Sequence, residues 1–427
     1  MRNAKAILYR FLSFLYQDEI PLAFIEEMGA NPFLEQLHEA ADKCSSVGFR
    51  SGLTQISTAL HGGSAQEIYN ELRYEYAELF LNAGKNPVFP YASCHISGEP
   101  LLMQKPVFEV RQVYRDNGVH KNCDYPDLDD HIAIELEFMA HLADQQGSEE
   151  EQRNFLTQHL GWANAFCDML ASAAQTAWYQ GQADLTRAVL EAAGTETVDA
   201  DMEQLAQILA LLDFDAQTKT LCQGAVSPQA ESTVKTHCYI CAGLCGQKVK
   251  LKDQVITGLG GLKGDPKGGG RLCIKGANAH KNTYSAYRLK TPLIREDGRF
   301  RKASWDEALD LTAARLKSFD PKTVGFHQGN DFNSWCHDAV MAAYGTPNKT
   351  THRQMCDNPN RMANEHCLND KRPWIDYAHS EFILLFGINE LVTSAGQRKL
   401  ALLKQAIKRG AKLVTVDPRQ SETAEAS

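Results

Sequence analysis

Four cysteines, Cys238, Cys241, Cys245 and Cys273, stand in the pattern C-x2-C-x3-C-x27-C, the last inside Leu272-Cys273-Ile274-Lys275-Gly276. Three soft thiolate donors this close can converge on one metal centre from a single tight loop, and a fourth from a distant loop completes a four-thiolate site. A cubane of iron and sulfide needs a thiolate at each corner and a loop whose backbone N–H groups can turn toward the sulfurs. The small residues Ala242, Gly243 and Gly246 permit such a loop. Zinc accepts the same four ligands, more often as two Cys-x2-4-Cys pairs, and four unliganded thiols are the third alternative. The three-plus-one grouping favours iron–sulfur.

The residues that follow extend the pattern. The segment from His237 to Gly276, with Gly264-Asp265-Pro266 ahead of Cys273-Ile274-Lys275-Gly276, resembles the N-terminal iron–sulfur domain of molybdopterin (bis-guanine dinucleotide) oxidoreductases. That family includes formate dehydrogenases, periplasmic nitrate reductases and thiosulfate or polysulfide reductases. The likeness continues through Arg288-Leu289-Lys290-Thr291-Pro292-Leu293 and Trp305-Asp306-Glu307-Ala308 and ends in Val416-Asp417-Pro418-Arg419, so it covers about residues 234 to 427. It implies a [4Fe–4S] cluster on the four cysteines and a molybdenum bis-(molybdopterin guanine dinucleotide) cofactor. It also implies that Lys275 lies between cluster and pterin, where a cation relays electrons or tunes the cluster potential. A solvated loop lysine is the plain alternative. Cys356, in His352-Arg353-Gln354-Met355-Cys356-Asp357, sits about where cysteine-ligated members place the molybdenum ligand, a thiolate suiting a soft, high-valent metal. An isolated thiol is more often a small buried hydrophobe, and Cys336 and Cys367 lie nearby.

A βαβ unit closes this half. Glu381 to Phe386 reads as a buried strand, Gly387-Ile388-Asn389 as its turn, Gln397 to Lys408 as a helix and Lys412 to Val416 as the next parallel strand. Gly387 lets backbone approach a phosphate, and Asp417 can accept from a ribose or guanine. The resemblance assigns Gly387, Asn389, Asp417 and Arg419 to the guanosine end of the pterin cofactor, with Glu390 a departure where the family commonly has proline. The glycine-rich stretch from Gly258 to Gly270 lacks both dinucleotide and P-loop patterns and reads as loops supporting the cluster.

These sites need elements to hold them. With 427 residues, 43% hydrophobic and 23% charged, the chain has room for two or three cores of ordinary soluble composition. Its net charge of −9 with dispersed Lys and Arg argues against nucleic acid or an anionic membrane as partner. The N-terminus reads as a helix rather than a leader, no twin-arginine signal precedes the cluster motif, and no apolar run is long enough to span a bilayer. The expectation is a cytoplasmic protein whose twelve cysteines are reduced thiols or metal ligands. Residues 1–212 carry apolar positions at helical spacing, as in Ile132, Leu136, Met139, Ala140 and Ala143, while 213–235 lose that period and read as a linker. Short strands such as 249–251, 255–256 and 323–326 with glycine turns follow. The fold class expected is therefore multi-domain. An all-α helical bundle leads into a small α/β iron–sulfur domain at 236–295 and the start of a doubly wound α/β pterin-binding domain at 296–427.

The helical half carries a second resemblance. Pro90-Tyr91-Ala92-Ser93 and Pro126-Asp127-Leu128-Asp129-Asp130-His131, leading into Glu135-Leu136-Glu137-Phe138-Met139, resemble the TorD/DmsD/NarJ chaperones that mature molybdoenzymes. Tyr76 to Phe80 and Leu160-Gly161-Trp162 through Phe166 add to it, over about residues 5 to 212. The resemblance implies that Tyr76, Leu79, Phe80, Pro90, Tyr91, Asp130 and His131 hold the signal peptide of a client enzyme. An apolar helix preceded by two arginines fits a greasy groove with a carboxylate. The plainer alternatives are that Asp129 or Asp130 caps a helix and that the aromatics are core. Partners implied are a molybdoenzyme apoprotein or twin-arginine signal peptide and an electron-transfer subunit. Because family catalytic subunits extend well beyond the second strand of their first pterin-binding half, the chain is expected to be catalytically incomplete alone. Two function classes follow: a chaperone fused to a molybdopterin oxidoreductase, or a maturation factor whose cluster segment is not catalytic.

Overall fold

Helix caps and apolar stripes set the first half in a computed structural model. It describes residues 3–145, 148–193, 200–212, 214, 220–224, 226–227, 230–241, 243–329, 334–351, 358–371, 375–393 and 397–427. Contacts divide the chain into two compact units, Met1–Ser227 with Tyr284–Ala308 and Pro228–Thr283 with Leu309–Ser427. Among the described residues the strands run, in chain order, β1 (Val119–Lys121), β2 (Leu221–Gln223), β3 (Ser232–His237), β4 (Gly246–Lys252), β5 (Val255–Gly261) and β6 (Leu293–Glu296). They continue with β7 (Arg299–Lys302), β8 (Gly325–Gln328), β9 (Asn348–Thr351), β10 (Phe382–Phe386) and β11 (Lys412–Val416).

The first unit is mostly helix. Asn3 caps the helix Ala4–Gln17 by accepting from the Lys5 N–H, and a Ser64/Glu67 capping box opens the helix Ala65–Phe80. The helix Ile132–Asp144 is the centre: Ile132, Leu136, Met139 and Ala140 are fully buried, as their spacing requires, and it packs on Ala4–Gln17. The helices Val47–Leu60 and Ala177–Ala193 touch backbone to backbone, since a Cβ on Gly181 would come 2.7 Å from the Gly52 carbonyl oxygen. Trp178, Tyr9, Tyr114 and Phe138 fill the core around them.

Residues 213–235, where the loss of helical period suggests a linker, contain two strands. β2 pairs antiparallel with β1, and β3 begins at Ser232; Ala225 and Pro228 lie outside the described residues. The same unit takes back residues 284–308. Ser285 bridges Leu101, and β6 and β7 form a hairpin whose second strand lies on the helix Ala65–Phe80.

The second unit has two parts. β3, β4 and β5 form an antiparallel meander with a bulge at Lys250/Leu251. Two parallel pairs, β8 with β9 and β10 with β11, show the α/β pattern, and the helix Gln397–Arg409 follows β10 as the sequence predicts. Ile383 and Leu385 of β10 pack with Leu403, Ala406 and Leu413, whereas Phe382, Leu384 and Phe386 on its other face are exposed.

Candidate functional site

The β3–β4 hairpin gathers three thiols at one end. His237 pairs with Gly246 at the end of the ladder, and the Cys238 N–H donates to the Cys245 carbonyl at 2.8 Å, so these two cysteines flank the loop that carries Cys241. Cys238 and Cys245 are buried and Cys241 is exposed. Cys273, half-buried, arrives from the loop after β5 and caps the short helix Ile274–Ala277. Gln247 fastens that helix to β4 by donating to the Gly276 carbonyl at 3.0 Å. A Cβ at Gly276 would lie 3.3 Å from the Cys238 sulfur, so glycine lets backbone and thiol close up. Backbone N–H groups point at two sulfurs, Gly243 to Cys241 at 3.4 Å and Gly276 to Cys273 at 3.5 Å.

Cys238 senses the other three thiols. Burial raises the Cys238 pKa, a backbone hydrogen bond from Ile240 opposes it, and the charges of Cys241, Cys273 and Cys245 raise it further. Among the described residues no three His, Cys, Asp or Glu side chains close in on a point where one metal ion would sit. Asp265 supports the loop. Burial would raise its pKa, but backbone hydrogen bonds from Gly246, Gly268 and Lys267 outweigh it and hold the carboxyl low. Lys275 is exposed on the helix that Cys273 caps. Ala242 and Cys356, with residues 352–357, lie outside the described residues.

One glycine gives a test of this loop. A Cβ at Gly261 would fall 2.3 Å from the Gly270 oxygen and 2.4 Å from its carbonyl carbon, both backbone, so no side chain can yield. Gly261→Ala is expected to separate the end of β5 from the loop that delivers Cys273 and to cut iron retention by more than half. Iron analysis beside thermal melting of the helical unit checks this, with the melt expected unchanged.

In the final βαβ unit, Gly387 has a φ of +59° and open space where a Cβ would be, and its N–H donates to the Val416 carbonyl at 2.9 Å. Asn389 is spent on structure: its oxygen accepts from the Thr423 hydroxyl at 2.8 Å and its amide donates to Glu422 at 2.6 Å. Asp417 accepts from the Arg419 N–H at 2.8 Å, and Arg419 is exposed. Glu390, the departure from the family pattern, is buried and pairs with Lys399 at 2.7 Å.

The helical unit brings Pro90, Tyr91, Asp130 and His131 together. The Ile132 N–H donates to the Pro90 carbonyl at 2.9 Å, the Ala92 N–H to the Asp130 carbonyl at 3.0 Å, and the Tyr91 and His131 rings meet edge to face at 5.0 Å. Asp130 is fully buried. One of its oxygens accepts from the Ser93 N–H at 2.8 Å, and the other has no hydrogen-bond partner among the described residues. Burial pushes its pKa up to about 6 and pushes that of His131 down to about 4. Capping of the Ile132–Asp144 helix by Asp129 or Asp130 is corrected: His131 is the cap, its Nδ1 accepting from the Ala133 N–H at 3.2 Å. Asp130 instead tethers the turn after Tyr91, and Asp129 pairs with Arg111 at 2.7 Å. Tyr76 and Leu79 are buried and Phe80 is half-buried, with the Tyr76 and Phe80 rings 5.2 Å apart, so these side chains are packed from within.

Two residues escaped the sequence reading. Asp127, in the same acidic run, accepts from the Tyr91 hydroxyl and faces outward enough to pair with Lys290 at 3.3 Å. Burial would raise its pKa, but His131 and Lys290 more than offset that and hold it low. The acidic run signals Asp127, whereas nothing local signals Lys290.

Comparison with known proteins matches three families. Residues 42–168 match the nitrate reductase delta subunit, 231–285 the molybdopterin oxidoreductase Fe4S4 domain, and 288–427 molybdopterin oxidoreductase. The F420-dependent formate dehydrogenase 1 subunit alpha of Methanococcus maripaludis is 41% identical over 93 residues, 22% of this chain and 14% of that one. The chaperone protein TorD of Colwellia psychrerythraea is 28% identical over 214 residues, 43% of this chain and 88% of that one. Acetylene hydratase from Pelobacter acetylenicus superposes at a TM-score of 0.38 with 25% identity, covering 45% of this chain and 28% of that one. The chain spans 14% to 29% of the length of the formate dehydrogenase alpha subunits it matches. Among the described residues no helix is long and apolar enough to cross a membrane. The chain is a fusion of a TorD/NarJ-type, chaperone-like domain with an Fe4S4 domain and a molybdopterin oxidoreductase domain.

Proposed function

We propose that this chain serves a molybdopterin-dependent oxidoreductase, holding a [4Fe–4S] cluster on Cys238, Cys241, Cys245 and Cys273 beside a domain that assists maturation of the molybdoenzyme. The observation that carries this reading is the gathering of four thiols at the end of the β3–β4 hairpin, with Gly243 and Gly276 N–H groups directed at two of the sulfurs. N–H groups aimed at thiolates stabilise their charge and so favour cluster binding. When bound, such a cluster supplies one-electron transfer. Lys275, exposed beside Cys273, is proposed to tune that centre through its charge. Gly387, Asn389, Asp417 and Arg419 are proposed to meet the guanosine end of the pterin: Gly387 leaves room for a phosphate, Asp417 presents a carboxylate, and Asn389 holds the turn. Cys356 is proposed as the molybdenum ligand on its place in the sequence.

In the helical unit the residues from Tyr76 to His131 form the proposed site for a client peptide. Tyr91 and Asp127 supply the outward contact for a cation, and Asp130 and His131 hold them from behind. A cytoplasmic location belongs to this reading.

The test is the iron, labile sulfide, zinc and molybdenum content of the full chain purified without oxygen. About four irons and as many sulfides per chain are expected. Zinc alone would overturn the cluster reading.

A further inference from the structure

The segment that follows the Fe4S4 domain does not stay with it. Residues 284–302 lie on the helical unit, beginning with backbone: the Leu102 N–H donates to the Tyr284 carbonyl at 2.7 Å and the Ala286 N–H to the Pro100 carbonyl at 2.9 Å. Asn82 donates to the Tyr287 carbonyl at 2.7 Å, and Ala286 joins Phe89, Tyr91 and Leu102 in a small apolar cluster. Beyond this point most of the ion pairs have one polarity, cations on the segment and carboxylates on the helical unit. Arg299 places its fork on Glu78 at 2.9 and 3.1 Å and reaches Glu71 at 2.6 Å, with its guanidinium 5.3 Å from the centre of the Tyr74 ring. Lys302 meets Asp18 at 2.6 Å. Lys290 lies 4.3 Å from the centre of the Tyr91 ring, donates to its hydroxyl and pairs with Asp127 at 3.3 Å. Arg73 with Glu296, at 3.1 Å, is a reversed pair.

A forked arginine on a carboxylate and a lysine over a tyrosine face are recognition geometries, selective for a cation at a fixed place. Each exposed ion pair contributes little alone. Held in one hairpin and tethered to the same chain, they act together at high effective concentration.

We propose that Asp18, Glu71, Glu78 and Asp127, with Tyr74 and Tyr91, form a docking surface for a cationic β-hairpin of a molybdoenzyme chain. Here the chain's own residues 284–302 supply that hairpin, and Lys290 holds the Tyr91–Asp127 end against a basic leader peptide. The competition rests on the reading of the Tyr91–His131 region as a peptide site; the docking does not.

Two measurements on the full chain test it. The first is hydrogen exchange followed by mass spectrometry over residues 284–302. Arg299→Glu is expected to speed exchange there about 10-fold, and the double swap Glu78→Arg with Arg299→Glu to restore protection. Unchanged exchange in Arg299→Glu would overturn the docking surface. The second titrates a labelled peptide carrying two adjacent arginines before an apolar stretch into wild type, Lys290→Ala, and Lys290→Ala with Asp127→Asn. Binding is expected to tighten about 10-fold in the single variant and to fall back in the double one. Equal affinity in wild type and Lys290→Ala overturns the competition. A peptide that binds none of the three overturns both the competition and the peptide-site reading, and leaves the exchange result to decide the docking.

Discussion

Cys241→Ala, purified without oxygen, is expected to lose the visible absorbance and essentially all bound iron, while the helical unit keeps its far-ultraviolet dichroism and its melting temperature. Cys241 lies exposed in the loop between Cys238 and Cys245, so truncating it opens no cavity and leaves the β3–β4 ladder intact. What it removes is one of four corners, and three thiolates leave an iron without its protein ligand. The buried cluster of the helical unit runs from Ala6 to Phe214 and is built without this loop's residues. Absorbance and iron equal to wild type would remove Cys241 from the ligand set. Loss of the helical melt as well would mean that the variant misfolds more widely.

Asp130→Asn should produce a gain. Burial raises the Asp130 pKa from 3.8 to about 6, so between those values the native chain holds a proton that the unfolded chain has released. Wild-type stability contributed here is full below pH 4 and is lost as pH rises through about 6. A shift of roughly two units corresponds to about 3 kcal/mol. Asparagine keeps an acceptor for the Ser93 N–H and carries no charge. The variant should match wild type near pH 4 and exceed it by about 3 kcal/mol at pH 7 in urea unfolding. His131 runs the other way. Its pKa falls from 6.5 to about 4, so its contribution is present above 6.5 and lost as pH drops through 4. The two slopes oppose each other in wild type, and the variant's own stability should climb between pH 4 and 6.5. Equal stabilities at pH 7 would show that the carboxylate carries no such cost.

The legible parts of the chain were those whose signals are local. The cysteine spacing marks a hairpin loop and a distant fourth donor, and the strand–turn–helix–strand order from 382 to 416 appears as read. Ile132, Leu136 and Met139 show their helix because burial repeats with the helical turn. Asp130 misled because a carboxylate ahead of a helix looks like its cap, whereas its partner, the Ser93 N–H, is 37 residues away. The return of residues 284–308 was invisible for the same reason. Arg299 and Glu78 are 221 positions apart, and single charges on a strand and a helix read as solvated faces until the fold sets them side by side.

That return changes what kind of segment bears the cysteines. Residues 228–283 leave the helical unit at Ser227 and the chain rejoins it at Tyr284, so the cluster-binding stretch is a closed loop rather than a tail. A closed loop has fewer unfolded arrangements to lose, and the cost of holding its ends is met by the helical unit. There is a temporal side as well. At about 5–20 residues per second of synthesis, all four cysteines leave the ribosome before the strand that carries Arg299, so they are open to loading for seconds before the loop is fastened at its second end.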